Sequence, residues 1–220
     1  MTLDRVARLV SDQDNLRLAL TWFDQRAESD PLLQVSTELY GLWSTQGLYR
    51  EGMQWIERAL ERSNRSATGP RVEALVAASR LAAFQDDYAG AAMLISESLA
   101  LARELGDPFL VAQVLTNAGF LSYRRGEYEL AETQLDEARQ LLSGISDTVP
   151  DAVRLSTVPL QILGDTALAR EQFDRAAAWY AEAIEVAQTV GTIWGAIDAQ
   201  IGLAASITAP GTPCGRQVST

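Results

Sequence analysis

The chain has no lysine, no histidine and a single cysteine among its 220 residues. Without lysine there can be no Walker A phosphate loop, no Schiff-base lysine and no kinase-type catalytic lysine. Without histidine the Ser–His and Cys–His couples and the usual zinc sites are excluded. One cysteine, Cys214, cannot form an internal disulfide, which suits a reducing compartment. It sits in TAPGTPCGRQVST, a stretch without periodicity, and no partner residue supports a catalytic thiol there. Long hydrophobic runs are also missing: nothing approaches the roughly 18 unbroken apolar residues of a membrane-spanning helix. The opening MTLDRVARLVSDQDN carries acids and no extended apolar stretch, so it does not read as a signal peptide. These absences predict a soluble, cytoplasmic protein with no catalytic centre, no cofactor and no metal.

What is present is a globular composition, 47% apolar and 21% charged, long enough to bury a sizeable core. All 18 basic residues are arginines, set against 29 acids, for a net charge of −11. Residues 1–71 are nearly balanced, with nine arginines and ten acids; residues 72–220 hold nine arginines and nineteen acids. Nucleic-acid binding draws most of its affinity from basic groups on phosphates. The acidic portion is therefore expected to bind neither nucleic acid directly nor an anionic membrane surface.

Internal repetition organises the chain. QGLYREGMQWIERALE, QDDYAGAAMLISESLA, RGEYELAETQLDEARQ and REQFDRAAAWYAEAIE align without gaps. Each carries an aromatic at its fourth position: Tyr49, Tyr88, Tyr128 and Phe173, spaced by 39, 40 and 45 residues. Three residues on is a small side chain (Gly52, Ala91, Ala131, Ala176), and at plus seven a large one (Ile56, Ile95, Leu135, Tyr180). A small one returns at plus ten (Ala59, Ser98, Ala138, Ala183). Offsets of 3, 7 and 10 share one face of a 3.6-residue helix. Small residues on that face admit a neighbouring backbone, and the large one fills the groove beside it.

A second apolar-periodic stretch precedes each segment, with Gly119 and Gly164 nine residues before the aromatic in two of them. The unit is thus helix, tight turn, helix, with turns near Gly47, Asp86–Asp87, Gly126 and Glu171–Gln172. Asp30–Pro31 and Asp107–Pro108 read as capping acids followed by proline at the first helical position. Gly106 reads as a C-terminal cap, and Gly69–Pro70 as another helix start. The 45-residue spacing is attributed to a connector over 143–156, with Pro159 in the first turn of a helix beginning near Thr157. A continuous helix from Asp151 through Pro159 is the alternative.

This alternation resembles the tetratricopeptide repeat, although these units exceed its 34 residues. Repeats of this length are similar to those in the sensor arms of bacterial signalling ATPases and transcriptional activators, including LuxR-type and AfsR-like regulators. DQDNLRLALTWF, from Asp12 to Phe23, looks like the segment that joins the ATPase part of such regulators to their repeats. As residues, it reads as a helix capped by Ser11 with Asp14 three positions on. The resemblance implies an all-α, right-handed superhelical solenoid of about four helix-turn-helix repeats plus flanking helices. Its expected organisation is an N-terminal linker with capping helices at 1–28, repeats at 29–207 and a disordered tail at 208–220. ATPase motifs and a DNA-binding helix-turn-helix are not in this sequence.

Such a solenoid binds on its concave face, lined by the first helix of each pair. Positions 15, 12, 8 and 5 residues before each aromatic should point there: Gln34, Thr37, Gly41 and Ser44; Glu73, Val76, Arg80 and Ala83; Gln113, Thr116, Phe120 and Tyr123; Val158, Gln161, Asp165 and Leu168. Arg80, Gln113, Asn117, Phe120, Tyr123 and Arg124 form the candidate binding set: aromatics with amide and guanidinium donors, suited to a peptide or small acidic ligand. A solvated inner face is the alternative. The carboxylate pairs Asp86–Asp87 and Asp136–Glu137 do not face each other and read as solvated acids. The five tryptophans read as core.

WGAIDAQIGLAASI, from Trp194 to Ile207, looks like the first helix of a fifth pair, and is apolar nearly all round. Trp194, Ile197 and Ile201 are therefore candidates for homodimerisation. The sequence predicts a non-catalytic module that binds a protein or peptide partner or senses a ligand, as the regulatory arm of a signalling or transcriptional regulator. The alternative is a self-associating structural fragment without a ligand.

Overall fold

The computed structural model describes residues 11–26, 29–191 and 193–208, with side chains described throughout except at 193–195. Cys214, the tail beyond residue 208 and the Trp194 side chain lie outside the described residues. Eleven α-helices and no strand occur among them. The chain divides into two units, Met1–Gly106 and Asp107–Thr220.

The first unit holds α1 (Gln13–Gln25), α2 (Ser29–Glu38), α3 (Tyr40–Gln46), α4 (Tyr49–Arg62), α5 (Gly69–Ala83) and α6 (Tyr88–Leu105). Helices α2 and α3 together are the first helix of the first repeat, α4 its second; α5 and α6 form the next hairpin. Every residue of the small–large–small stripe here is buried: Ile56 and Ala59 at 0%, Ala91 at 0%, Ile95 at 6%. The pairing is reversed in the first repeat, where Gly52 on α4 is the small partner and Trp43 on α3 the large one. A β-carbon on Gly52 would stand 2.6 Å from the indole.

Helix α1 is clamped along α4 by charge. The Arg17 guanidinium donates from Nε and Nη2 to both Glu51 oxygens, at 2.6 and 2.8 Å. That hydrogen bonding holds the Glu51 carboxyl below its ordinary range. One turn past the middle of α1, Asp24 is buried; Arg58 Nη1 lies 3.2 Å and Arg62 Nε 2.8 Å from its carboxylate. The Arg62 approach is an ion pair without hydrogen-bond alignment, since Asp24 Oδ1 has no hydrogen-bond partner. Arg17–Glu51 and Asp24–Arg58 share a sequence offset of 34. Two contacts at one offset make α1 run parallel to α4, as the second helix of a preceding repeat runs along the next.

The second unit holds α7 (Pro108–Arg124), α8 (Tyr128–Ile145), α9 (Pro150–Ala169), α10 (Phe173–Val190) and α11 (Ile193–Thr208). Hairpins α7–α8 and α9–α10 stack so that α9 also contacts α7 and α8, and α11 packs on α10 and α9. Ala131, Leu135, Ala138, Ala176, Tyr180 and Ala183 are all buried, so the stripe is core here too.

The turns share one backbone device. Gly47, Asp86, Gly126 and Glu171, each two residues before the repeat aromatic, have φ of 69, 60, 76 and 59°. Left-handed geometry at this position recurs in all four repeats, with glycine in only two. Asp107 caps α7 by accepting from the N–H groups of Phe109 and Leu110, with Pro108 at N1. Gly106 closes α6 in the left-handed region. Thr68 caps α5 ahead of Gly69 and Pro70.

Several expectations need correction. Helix α9 is continuous from Pro150 through Pro159, so the long spacing comes from a longer helix and not from a connector over 143–156. Pro159 removes the bond to the carbonyl four residues back. Burial of Ala152, Thr157 and Leu160 holds the turns around it, and the Ser156 and Thr157 hydroxyls bond back to the carbonyls of Val153 and Arg154. Helix α2 starts at Ser29, which puts Asp30 and Pro31 inside its first turn, where both are still favourable. Helix α1 starts at Gln13; Asp12 precedes it without a side-chain cap bond, so Ser11 is not the cap. Trp43 is core, but Trp22 is 45% exposed, with the Arg26 guanidinium 4.2 Å above its ring. Residue 208, assigned to the tail, ends α11.

Candidate functional site

In the second unit, the first helices α7, α9 and α11 neighbour one another, while α8 and α10 pack behind them. One side of α7 carries Gln113, Asn117, Phe120, Tyr123 and Arg124, at spacings of three and four residues, and there Phe120 and Tyr123 pack against the buried cluster of Ala131, Leu135, Ile162 and Leu163. Gln113, Phe120 and Tyr123 are partly accessible and Arg124 is exposed. Arg124 lies with its guanidinium 5.9 Å from the Phe120 ring centroid, within cation–π range. Tyr123 and Tyr128 lie 6.4 Å apart, ring to ring, across the α7–α8 turn. Asn117 Nδ2 donates to the Gln113 backbone carbonyl at 2.7 Å, which ties it to its own helix. The Gln113 side-chain oxygen is shut off from solvent and accepts no hydrogen bond.

Opposite on α9, Asp165 accepts the Tyr180 hydroxyl at 2.6 Å. Burial pushes the Asp165 carboxyl above its ordinary range, against the Tyr180 bond, and the charge of Asp198 on α11 adds to the rise. Burial and the same bond push the Tyr180 phenol upward. Burial and the Asp165 charge do so for Tyr123. The cluster therefore joins α7, α9, α10 and α11 by electrostatics.

Arg80 belongs to the first unit. Its guanidinium lies 4.6 Å above Tyr40, whose phenol is raised by burial and lowered again by that cation. Glu73 on the same face of α5 is raised by burial and by Glu38. The position 12 residues before the aromatic does not line a groove in the middle repeats. Val76 and Thr116 are buried, because α5 and α7 are covered over most of their circumference. Ile197 and Ile201 are 38% and 65% exposed on α11, on the side opposite buried Ala199 and Ser206.

The carboxylate pairs are structural. Asp87 caps α6 through Gly90 N–H at 2.9 Å, and Asp136 pairs with Arg139. Among the described residues, no group of three or more His, Cys, Asp or Glu is placed to hold a metal ion. No helix of the described residues is long and apolar enough to cross a membrane.

Sequence reasoning missed Arg71, a buried arginine one turn into α5, and the Arg139 guanidinium stacked 4.6 Å over Trp179 while donating to Glu182. Arg71 had a signal: one charge in the otherwise apolar face of a helix that opens Thr68–Gly69–Pro70. The Asp165–Tyr180 bond had a weaker one, a tyrosine at the plus-seven position where the other repeats have isoleucine or leucine.

No family model matches the chain. A Mycobacterium tuberculosis protein named as an HTH-type transcriptional regulator is 33% identical over 150 residues, which cover 64% of this chain and 17% of that protein. The chain thus spans about one sixth of the length of this relative. Among solved structures, the apo form of RapI superposes with a TM-score of 0.74 at 15% identity, over 96% of this chain and 74% of RapI. A signal transduction ATPase with a tetratricopeptide repeat sensor from Pyrococcus horikoshii gives a TM-score of 0.64 at 14% identity, over 80% of this chain and 27% of the ATPase. The chain has the all-α, tetratricopeptide-like helical-repeat fold.

Proposed function

We propose that the chain is a non-catalytic, cytoplasmic module that takes up a peptide or protein segment on the α7–α9–α11 face, and that it serves as the regulatory arm of a signalling or transcriptional regulator. The observation that carries this reading is the α7 face itself. Phe120 and Tyr123 stand partly accessible beside exposed Arg124, with Gln113 partly accessible on the same helix. The printed descriptions of the Pyrococcus ATPase as carrying a repeat sensor, and of the mycobacterial relative as a transcriptional regulator, support the regulatory part. Occupancy would act by favouring one arrangement of the arm over another. The repeats are assigned to 29–207, with α1 as their N-terminal cap, and no direct contact of this chain with nucleic acid is part of the reading.

Selection of a random peptide library on the purified chain tests it. Enriched peptides whose affinity drops about tenfold or more in Phe120→Ala and Tyr123→Ala, measured at a temperature where circular dichroism shows both variants folded, are the expected result. No enrichment, or peptides indifferent to both substitutions, would contradict it.

A second reading, homodimerisation through α11, is favoured by the exposure of Ile197 and Ile201 on the outward side of that helix. It assigns Trp194 to the same contact and needs no ligand.

A further inference from the structure

Helix α1 and helix α11 each carry an exposed apolar ridge. On α1, Leu16, Leu20 and Phe23 turn into the first unit's core, and Arg17 and Asp24 are tied to α4. The opposite side holds Leu18 and Trp22, one turn apart and 67% and 45% exposed. On α11, Ala199, Leu203 and Ser206 turn inward, and the opposite side holds Ile197, Ile201 and the exposed Ala204 and Ala205. Side chains in this spacing form the ridges by which helices pack on one another.

The two ridges carry charges of opposite sign. Arg26, one turn past Trp22, holds its guanidinium 4.2 Å over the indole. Asp198, beside Ile197 and Ile201, is exposed. Neither has an ion pair among the described residues. The Asp198 charge repels Asp165 on α9 and pushes that carboxyl upward, so a cation brought to Asp198 offsets a repulsion already present. With the helices antiparallel, Arg26 meets Asp198, Trp22 meets Ile201 and Leu18 meets Ala205. Steps of three or four residues separate these positions on both helices.

Charge also decides between the ways of covering the α11 ridge. Residues 72–220 hold nine arginines against nineteen acids, and residues 1–71 nine against ten. Pairing α11 with the same helix of a second copy brings two acidic portions together. Pairing it with α1 of that copy brings the balanced portion instead, with Arg26 at the contact.

We propose that the occupant of the α11 ridge is α1 of a second copy of this chain: Leu18, Trp22 and Arg26 of one copy seat on Ile197, Ile201 and Asp198 of the next. The contact rests on the reading of α11 as a self-association helix and adds the surface that it meets. It is heterologous, so each copy in a dimer keeps one free ridge and association continues beyond two chains.

Sedimentation velocity of the full chain, of Trp22→Asp and of Ile201→Asp, with the two variants run alone and mixed, tests this. Circular dichroism first establishes that both variants are folded. The parent is expected to form a dimer and then larger species as concentration rises, and each variant alone to stay monomeric. Their equimolar mixture should give a dimer that grows no further, because each variant supplies the ridge the other has lost. Arg26→Asp should weaken association of the parent about tenfold or more, and adding Asp198→Arg to it should restore the association. A dimer that Trp22→Asp leaves intact overturns the proposal while keeping α11 as the self-association helix. A mixture that stays monomeric beside an associating parent also overturns it. A parent that is monomeric at every concentration removes both readings.

Discussion

The ring of Tyr180 lies so close to Gly164 that a β-carbon there would stand 2.6 Å from its Cε1, and a β-carbon built on Gly202, on α11, would also overlap that ring. Two helices thus meet a third through one aromatic ring held between two glycines. Tyr180 is 1% exposed and cannot swing aside. Gly164→Ala is expected to destabilise by about 1–3 kcal/mol, the range for overpacking a closed core. Gly144, helical with no atom within 4 Å of its added β-carbon, is the control. Gly144→Ala should raise stability by about 0.5–1 kcal/mol from helix propensity alone. Denaturant melts of the two variants check both signs.

Asp165 accepts the Tyr180 hydroxyl, yet its carboxyl is raised by burial. A carboxyl raised in the folded state binds its proton more tightly there than in the unfolded chain. Its contribution is therefore fully favourable below the unfolded value of about 3.9 and is lost as pH rises through the folded value. Asp165→Asn keeps an acceptor for Tyr180 and removes the ionisation. The variant should gain stability over the parent at neutral pH, and the gain should shrink as pH falls toward about 4. Thermal melts from acid to neutral pH measure it; a gain that does not vary with pH would contradict the assignment.

Tyr180 sets the opposite end of the pH range. Its raised phenol keeps its proton in the folded state after the unfolded tyrosine ionises near pH 10. Stability should accordingly fall as pH rises above about 10, and Tyr180→Phe should flatten that part of the fall. Tyrosinate absorbance recorded alongside the melt separates this residue from the others.

Glu171 holds a left-handed backbone, φ 59°, at the position where two other repeats have glycine. An L-residue in that region costs about 1–2 kcal/mol, part of which glycine gives back in chain entropy. Glu171→Gly should stabilise by about 0.5–1 kcal/mol, whereas Gly126→Ala should destabilise by a similar amount. Chemical denaturation of the pair reads both.

The exposed ridge of Ile197 and Ile201 gives the self-association reading its measurement. Sedimentation velocity across micromolar concentrations should show a dimer that Ile201→Asp abolishes. A single monomeric species at every concentration would remove that reading.

The helix-turn-helix unit was legible because its signals are local or strictly spaced. The small residues at plus three and plus ten have to be small wherever helices touch, and all four turns fall where the pattern puts them. The exceptions are residues whose fate is decided by distant partners. Pro159 stays within a helix because Ala152, Thr157 and Leu160 are buried around it, and no local rule contains that burial. Trp22 looked like core because it lies in an apolar-periodic segment, but the α1 face that packs is the one with Leu20 and Asp24. The left-handed geometry was readable at Gly47 and Gly126 and unreadable at Asp86 and Glu171, exposed residues over which the next N–H (Asp87, Gln172) closes the helix onto the carbonyl five residues back (Ala82, Ala167). At the candidate face, helical spacing placed Phe120, Tyr123 and Arg124 on one side of α7. It could not show that Thr116 is covered, or that Asn117 is spent on its own helix.

The peptide-face account is tested most directly by mapping where a selected peptide binds, with backbone amide chemical shifts of the full chain. Changes concentrated on α7, α9 and α11 around Gln113, Phe120, Tyr123 and Asp165 are predicted. Changes confined to the α8 and α10 side, or none on saturation, would contradict it.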